Sequence, residues 1–72
     1  MRSKLKQLRI KKNLTHKVMA KELGISRSYY TSIEMGNKTP SLKTSMKIKS
    51  FLKYYKDDIF LDDKVSKRNN LD

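Results

Sequence analysis

Seven consecutive residues, Ser26, Arg27, Ser28, Tyr29, Tyr30, Thr31 and Ser32, bring together a guanidinium, two phenols and four aliphatic hydroxyls. They lie between Gly24 and Gly36, the only two glycines in the chain. A segment made only to be packed would be more apolar, and one made only to be soluble would be more charged. This set suits hydrogen bonding to another molecule. It does not suit bond breaking, since the chain has no paired acids, no nucleophile–base set and no metal-ligand spacing. The clusters Asp57-Asp58 and Asp62-Asp63 read as charges at a helix start and in a solvated tail. Without cysteine there is no disulfide framework and no thiolate metal site. His16 is the lone histidine and is not a metal centre. No catalytic activity, metal or cofactor is expected.

The charge indicates what that molecule is. Lysine and arginine number 18 against 7 acids, a net of +11. Residues 1–56 hold fifteen of the bases with Glu22 and Glu34 as their only acids, a net of +13. Residues 57–72 hold three bases and five acids, a net of −2. A body so basic attracts polyanions, nucleic acid first and anionic membrane second. A general preference for lysine as a solubilising residue would explain part of the lysine count, but not the scarcity of acids before residue 57. No run approaches the ~18 apolar residues of a membrane span, and the start lacks the apolar core of a signal peptide. A soluble cytoplasmic protein is expected.

The elements that must position the segment are all helical. Seventy-two residues make one small domain. Leu5 and Leu8 among lysines predict an amphipathic helix over Ser3–Lys12. Thr15 caps a second helix carrying Met19, Ala20 and Leu23 on one side, which Gly24 stops. Ser26 caps a third through about Met35, ended by Gly36. After a loop over Asn37–Pro40, Ser41 caps a fourth with apolar positions Leu42, Met46, Ile48, Phe51 and Leu52. A last short helical turn, "KDDIF", follows Tyr54-Tyr55. Residues 1–60 read as the domain, and residues 61–72 as a polar, flexible C-terminal tail. Two short helices joined by a glycine-containing turn form the helix-turn-helix pattern, although a plain pair of packed helices satisfies it too.

From Leu5 to Phe60 the landmarks run without a gap: "LKQLR", "LTHKVMAKELGIS", "IEMG", "PSLKTSMKI" and "DDIF". In this order the chain resembles the Cro/repressor-type (XRE-like, lambda-repressor-like) helix-turn-helix domains. In recognition-helix character it is most similar to phage and mobile-element regulators and to restriction–modification controller proteins, which share an Arg-x-Tyr run there.

The resemblance implies a compact all-α fold of five helices with Leu5, Leu8, Leu14, Met19, Ala20, Leu23, Ile25, Ile33, Leu42, Met46, Ile48 and Leu52 in the core. It implies an ion pair between Arg9 and Glu34, linking the first helix to the recognition helix, Arg27–Glu34. Glu34, one of two acids in the basic body, needs a specific partner on charge grounds as well. Arg27, Ser28, Thr31 and Ser32 would face the major groove, with Arg27 reading guanine O6 and N7 or else gripping a phosphate. Ser28 and Ser32 would also allow close approach. Thr15, His16, Tyr29, Asn37, Lys38 and Lys43 would contact phosphates, and Tyr29 could instead meet a thymine methyl. Tyr30 and Tyr54 would pack in the core, and Lys17 and Lys21 would be solvated.

Four departures stand out. His16 replaces a glutamine that in the family bonds both phosphate and the recognition helix. Histidine can serve the first role, which would strengthen binding as the pH falls below about 7, while the second is open. Met35 replaces a polar residue, often asparagine. Val18 replaces a charged one. Lys53 replaces a frequent glycine, which puts the form of the last turn in question. Val18 and Tyr55 fit either the core, a dimer patch or a contact for an antirepressor.

The function implied is a sequence-specific regulator of transcription, repressor before activator. It would read an inverted repeat in double-stranded DNA as a homodimer, with a protein antirepressor or co-regulator as a possible controller. Two alternatives stand beside it: a DNA-binding antitoxin or antirepressor-controlled subunit that mainly holds another protein, and a basic nucleic-acid binder without sequence preference.

Overall fold

Three of the four helices begin at a hydroxyl cap. In the computed structural model, which describes residues 1–62, α1 spans Ser3–Lys11, α2 His16–Leu23, α3 Arg27–Met35 and α4 Leu42–Leu52. Thr15, Ser26 and Ser41 stand in extended backbone before α2, α3 and α4. Their hydroxyls accept from the amides of Val18 (3.1 Å), Tyr29 (3.1 Å) and Thr44 (3.2 Å). Each bond satisfies one of the amides that a helix start leaves without an internal partner. Gly24 (φ 70°) and Gly36 (φ 86°) end α2 and α3 in the left-handed conformation that glycine adopts without steric cost. At Gly36 a β-carbon would also collide with the Asp62 carboxylate.

Helices of eight to eleven residues are marginal in isolation, so packing must hold them. The core they share consists of Leu5 from α1, Met19, Ala20 and Leu23 from α2, Tyr30 and Ile33 from α3, and Ile48 and Leu52 from α4. Ile59 closes it from below. Each large aliphatic buried in this way contributes about 1.5–3 kcal/mol. Leu8, Leu14, Ile25, Tyr29, Phe51, Tyr54 and Phe60 pack around this centre while half-buried.

Two expectations are corrected. The fifth helix is a four-residue 3-10 turn, Asp57–Phe60, with Ile59 as its buried anchor. A segment of that length has no room for a ladder of i to i+4 bonds. Leu42 and Met46 are not core: they are 79% and 62% exposed. The row of α4 that meets the core runs Thr44, Ile48, Leu52, and a threonine begins it. Leu42 and Met46 form a parallel row turned to the outside, so hydropathy alone chose the wrong face. Val18 and Tyr55 are also exposed, at 41% and 69%.

Lys53 takes φ 53°, ψ 44°, so the turn after α4 keeps the glycine-type left-handed backbone without glycine. Residues 63–72, most of the segment read as a tail, lie outside the described residues. Among the described residues there is no strand, and no helix is long and apolar enough to cross a membrane.

Candidate nucleic-acid interface

The periodicity of α3 divides it into two faces. Tyr30, Ile33 and Glu34, at helical spacing, point inward and are buried. Arg27, Ser28, Thr31 and Ser32 form the opposite strip. Arg27 and Ser28 are exposed, Thr31 and Ser32 half-buried, and the four line one open depression of about 470 Å³. This strip offers a cation and three hydroxyls in a row along a single helix.

A buried polar lock fixes the strip from behind. Glu34, 2% exposed, receives Arg9 in a two-bond fork, Nε to Oε2 at 2.8 Å and Nη2 to Oε1 at 3.0 Å. The Tyr30 hydroxyl donates to Oε2 at 2.8 Å, and His16 Nε2 stands 3.2 Å from Oε1. Arg9 Nη1 donates to the Leu14 carbonyl at 2.6 Å, so one guanidinium joins α1, the turn after it and α3. Burial alone would raise the Glu34 carboxyl. The bonds from Arg9 and Tyr30, with the Arg9 and His16 charges, outweigh it and hold the group below its ordinary value. The bond to Glu34 likewise raises Arg9 against the opposing effect of burial. Burial, and then the bond to Glu34, pushes the Tyr30 phenol up, so it stays a donor. Among the described residues no buried side-chain nitrogen or oxygen lacks a partner.

His16 occupies the first position of α2 and bridges directly to α3. Its Nδ1 lies 2.8 Å from Thr31 Oγ1, and its ring meets Tyr30 edge-on, with centroids 5.5 Å apart. The helix-bridging role that a glutamine would fill is therefore filled by the imidazole. Both ring nitrogens are engaged inside the protein, and the side chain is 28% exposed.

The residues expected to meet phosphates come from the start of α2, from α3, from the loop after it and from α4. Thr15 is exposed, with its hydroxyl engaged as the α2 cap, and Tyr29 is half-buried against the core. Asn37, Lys38 and Lys43 are exposed. The Asn37 and Lys38 amides both donate to the Ser32 carbonyl, at 2.8 and 3.2 Å, which fixes the loop leaving α3.

Arg2 went unnoticed in the sequence, yet it is only 6% exposed. Nη1 donates to the Ile33 carbonyl at 2.5 Å and to the Lys38 carbonyl at 3.0 Å, and Nε to the Phe60 carbonyl at 2.9 Å. Its own amide donates to the Glu34 carbonyl at 2.8 Å. One side chain thus joins the end of α3, the following loop and the 3-10 turn. A signal was available: only four of the eighteen basic residues are arginine, and arginine is the cation that reaches several carbonyls from one plane.

Residues 5–59 match the family model described as helix-turn-helix. The chain is 44% identical over 61 residues to an uncharacterized HTH-type transcriptional regulator of Methanocaldococcus jannaschii, MJ0272, covering 85% of this chain and 92% of the relative. It is 36% identical over 63 residues to an uncharacterized HTH-type transcriptional regulator of Archaeoglobus fulgidus, covering 88% and 89%. A third relative, the uncharacterized HTH-type transcriptional regulator YqaE of Bacillus subtilis, is 41% identical over 58 residues, covering 81% of this chain and 46% of the relative. No solved structure matches. With the α2–turn–α3 unit whose helices end at Gly24 and Gly36, its outward strip and the family match across most of its length, the chain belongs to the Cro/repressor-type helix-turn-helix family.

Proposed function

We propose that the protein is a sequence-specific, double-stranded-DNA-binding regulator of transcription that acts in the cytoplasm as a homodimer on an inverted repeat, and that it represses. The observation that carries the proposal is the outward strip Arg27, Ser28, Thr31 and Ser32, held on a helix whose inner face is locked by Glu34. A helix enters the major groove with its N-terminal residues toward base edges, and Arg27 is the first residue of α3. A guanidinium there can bond guanine O6 and N7 together, for about 1–3 kcal/mol of discrimination. The positive body supplies the phosphate affinity and the steering. Two copies on half-sites about one helical turn apart multiply the few base contacts that one copy makes. Repression needs nothing beyond occupancy, since a bound dimer excludes other proteins from the same stretch of DNA.

The exposed pair Leu42 and Met46, one turn apart on α4, favours a second reading, in which the domain holds a protein partner as well.

The test is selection of binding sites from a random duplex pool at about 0.15 M salt. An enriched inverted repeat with fixed spacing supports the proposal, and Arg27→Ala should relax the preference at one position of each half-site. Retention of the whole pool without enrichment would replace sequence reading by general polyanion binding. No retained DNA would point to the protein-partner reading.

A further inference from the structure

We infer that His16, without touching DNA, sets the hydrogen-bonding sense of Thr31 at the groove, so that the base preferred opposite Thr31 changes with protonation of the imidazole. This rests on the DNA-reading function proposed above and names a specificity determinant within it.

The inference follows from which atoms can carry hydrogens. An ionised carboxylate only accepts, so the nitrogen facing Glu34 Oε1 at 3.2 Å, Nε2, carries a hydrogen whether the ring is neutral or charged. In the neutral ring Nδ1 is then bare. It lies 2.8 Å from Thr31 Oγ1 and can only accept. The Thr31 hydroxyl therefore spends its one hydrogen on His16, and only its lone pairs face outward. When the ring gains a proton, Nδ1–H donates to the same oxygen. The hydroxyl hydrogen is released and Thr31 becomes a donor. A side chain at the DNA surface thus has two states, selected by a residue behind it.

The titratable and charged groups around the ring are few. From α3 they are Glu34 and the Tyr30 phenol, which meets the ring edge-on and itself donates to Glu34. From α1 there is Arg9, behind Glu34 and bonded to the same Oε1. On its own helix Lys17 is adjacent. The bonds from Arg9 and Tyr30 come before the His16 charge in holding Glu34 ionised, so the carboxylate faces Nε2 when the imidazole is neutral as well.

In the major groove the two states read different bases. An outward acceptor matches the amino groups of adenine N6 and cytosine N4, and an outward donor matches guanine O6 and N7, thymine O4 or adenine N7, so cytosine answers only the first state and guanine and thymine only the second. The effect differs from general attraction of a protonated histidine to phosphate, which strengthens binding to every sequence alike.

The experiment is the same site selection run at about pH 5.5 and about pH 8, the range over which histidine changes charge. The position read by residue 31 is identified as the one whose preference is lost in Thr31→Val. At pH 8 that position should favour adenine or cytosine. At pH 5.5 guanine or thymine should gain there against cytosine, by roughly three- to tenfold, the size of one hydrogen bond. His16→Gln, whose amide nitrogen can face Glu34 while its oxygen accepts from Thr31, should keep the amino-base preference at both pH values. Equal preferences at both pH values in the unmodified protein would overturn the inference.

The relay also has a readout that needs no DNA. Imidazole nitrogen shifts of the free protein at pH 8 should show the Nε2–H tautomer of His16, and an Nδ1–H tautomer would overturn the inference. No enriched site at either pH would overturn the DNA reading, and the base switch with it. A correct tautomer in that case would separate the failure of the function from that of the hydrogen-bond geometry.

Discussion

Arg9 and Glu34 meet in a fork of two hydrogen bonds, at 2.8 and 3.0 Å, across the interface of α1 and α3, and Glu34 is 2% exposed. Removing one partner leaves the other charge buried. Arg9→Met keeps the apolar stem but strands the carboxylate, at a cost of about 3–5 kcal/mol. That is a large share of the stability that a domain of this length holds. Urea unfolding should show the midpoint falling steeply or the transition vanishing. An unchanged midpoint would mean that the fork contributes nothing to the fold.

Glu34 also sets the acid limit. Its folded-state carboxyl is held below the ordinary value, so as pH falls the unfolded chain takes up this proton first. The stability that the group contributes is complete above the ordinary carboxylate range and is lost as pH falls through the folded value. The melting temperature should therefore drop between about pH 5 and pH 3. In Glu34→Gln it should start lower at neutral pH and decline less steeply across that interval. A parallel decline in both proteins would assign the acid sensitivity to other carboxylates.

What could be read in the sequence was what local chemistry decides. The caps Thr15, Ser26 and Ser41 and the stops Gly24 and Gly36 act within a few residues of themselves; α2 and α3 begin and end beside them, and α4 begins beside Ser41. The outward strip of α3 was visible because its residue types suit neither a core nor a plain solvated face. The failures required tertiary information. Leu42 and Met46 are apolar like Ile48, and only the packing of the whole chain shows which of them is covered. The link from His16 to Thr31 and Glu34 exists because the start of α2 crosses the middle of α3, which no spacing within either helix encodes. Arg2 was hidden among the basic residues of the N-terminal stretch because its partners are backbone carbonyls 31 to 58 residues away, which have no residue type to read.

Arg2 yields a test of that last point. Its guanidinium plane serves three carbonyls at once, whereas an ammonium is a single point with a different reach. Arg2→Lys preserves the charge but should lose most of these bonds, destabilising the fold by about 1.5–3 kcal/mol. Amide hydrogen exchange should quicken most at Asn37 and Lys38, where the loop leaves α3. Wild-type protection in Arg2→Lys would show that charge, not the planar fork, holds the loop.

Lys53 offers a gain in stability. At φ 53°, ψ 44° its β-carbon crowds the following carbonyl, which costs a residue other than glycine about 1 kcal/mol or more. The side chain is exposed, and the backbone amide still donates to the Ser50 carbonyl at 3.3 Å, so glycine at this position loses little in the folded state. Against the relief stands the greater freedom of glycine in the unfolded chain, a few tenths of a kcal/mol up to about 1. Lys53→Gly should therefore stabilise by about 0.5 kcal/mol, or roughly 2–4 °C in melting temperature for a domain of this size. Asn13, at φ 59°, is the internal control. Asparagine tolerates the left-handed region through its short polar side chain, so Asn13→Gly should change the melting temperature by less. If Lys53→Gly melts no higher than the parent while Asn13→Gly does, strain is not what sets the energy of the turn after α4, and contacts of the Lys53 side chain must be holding it.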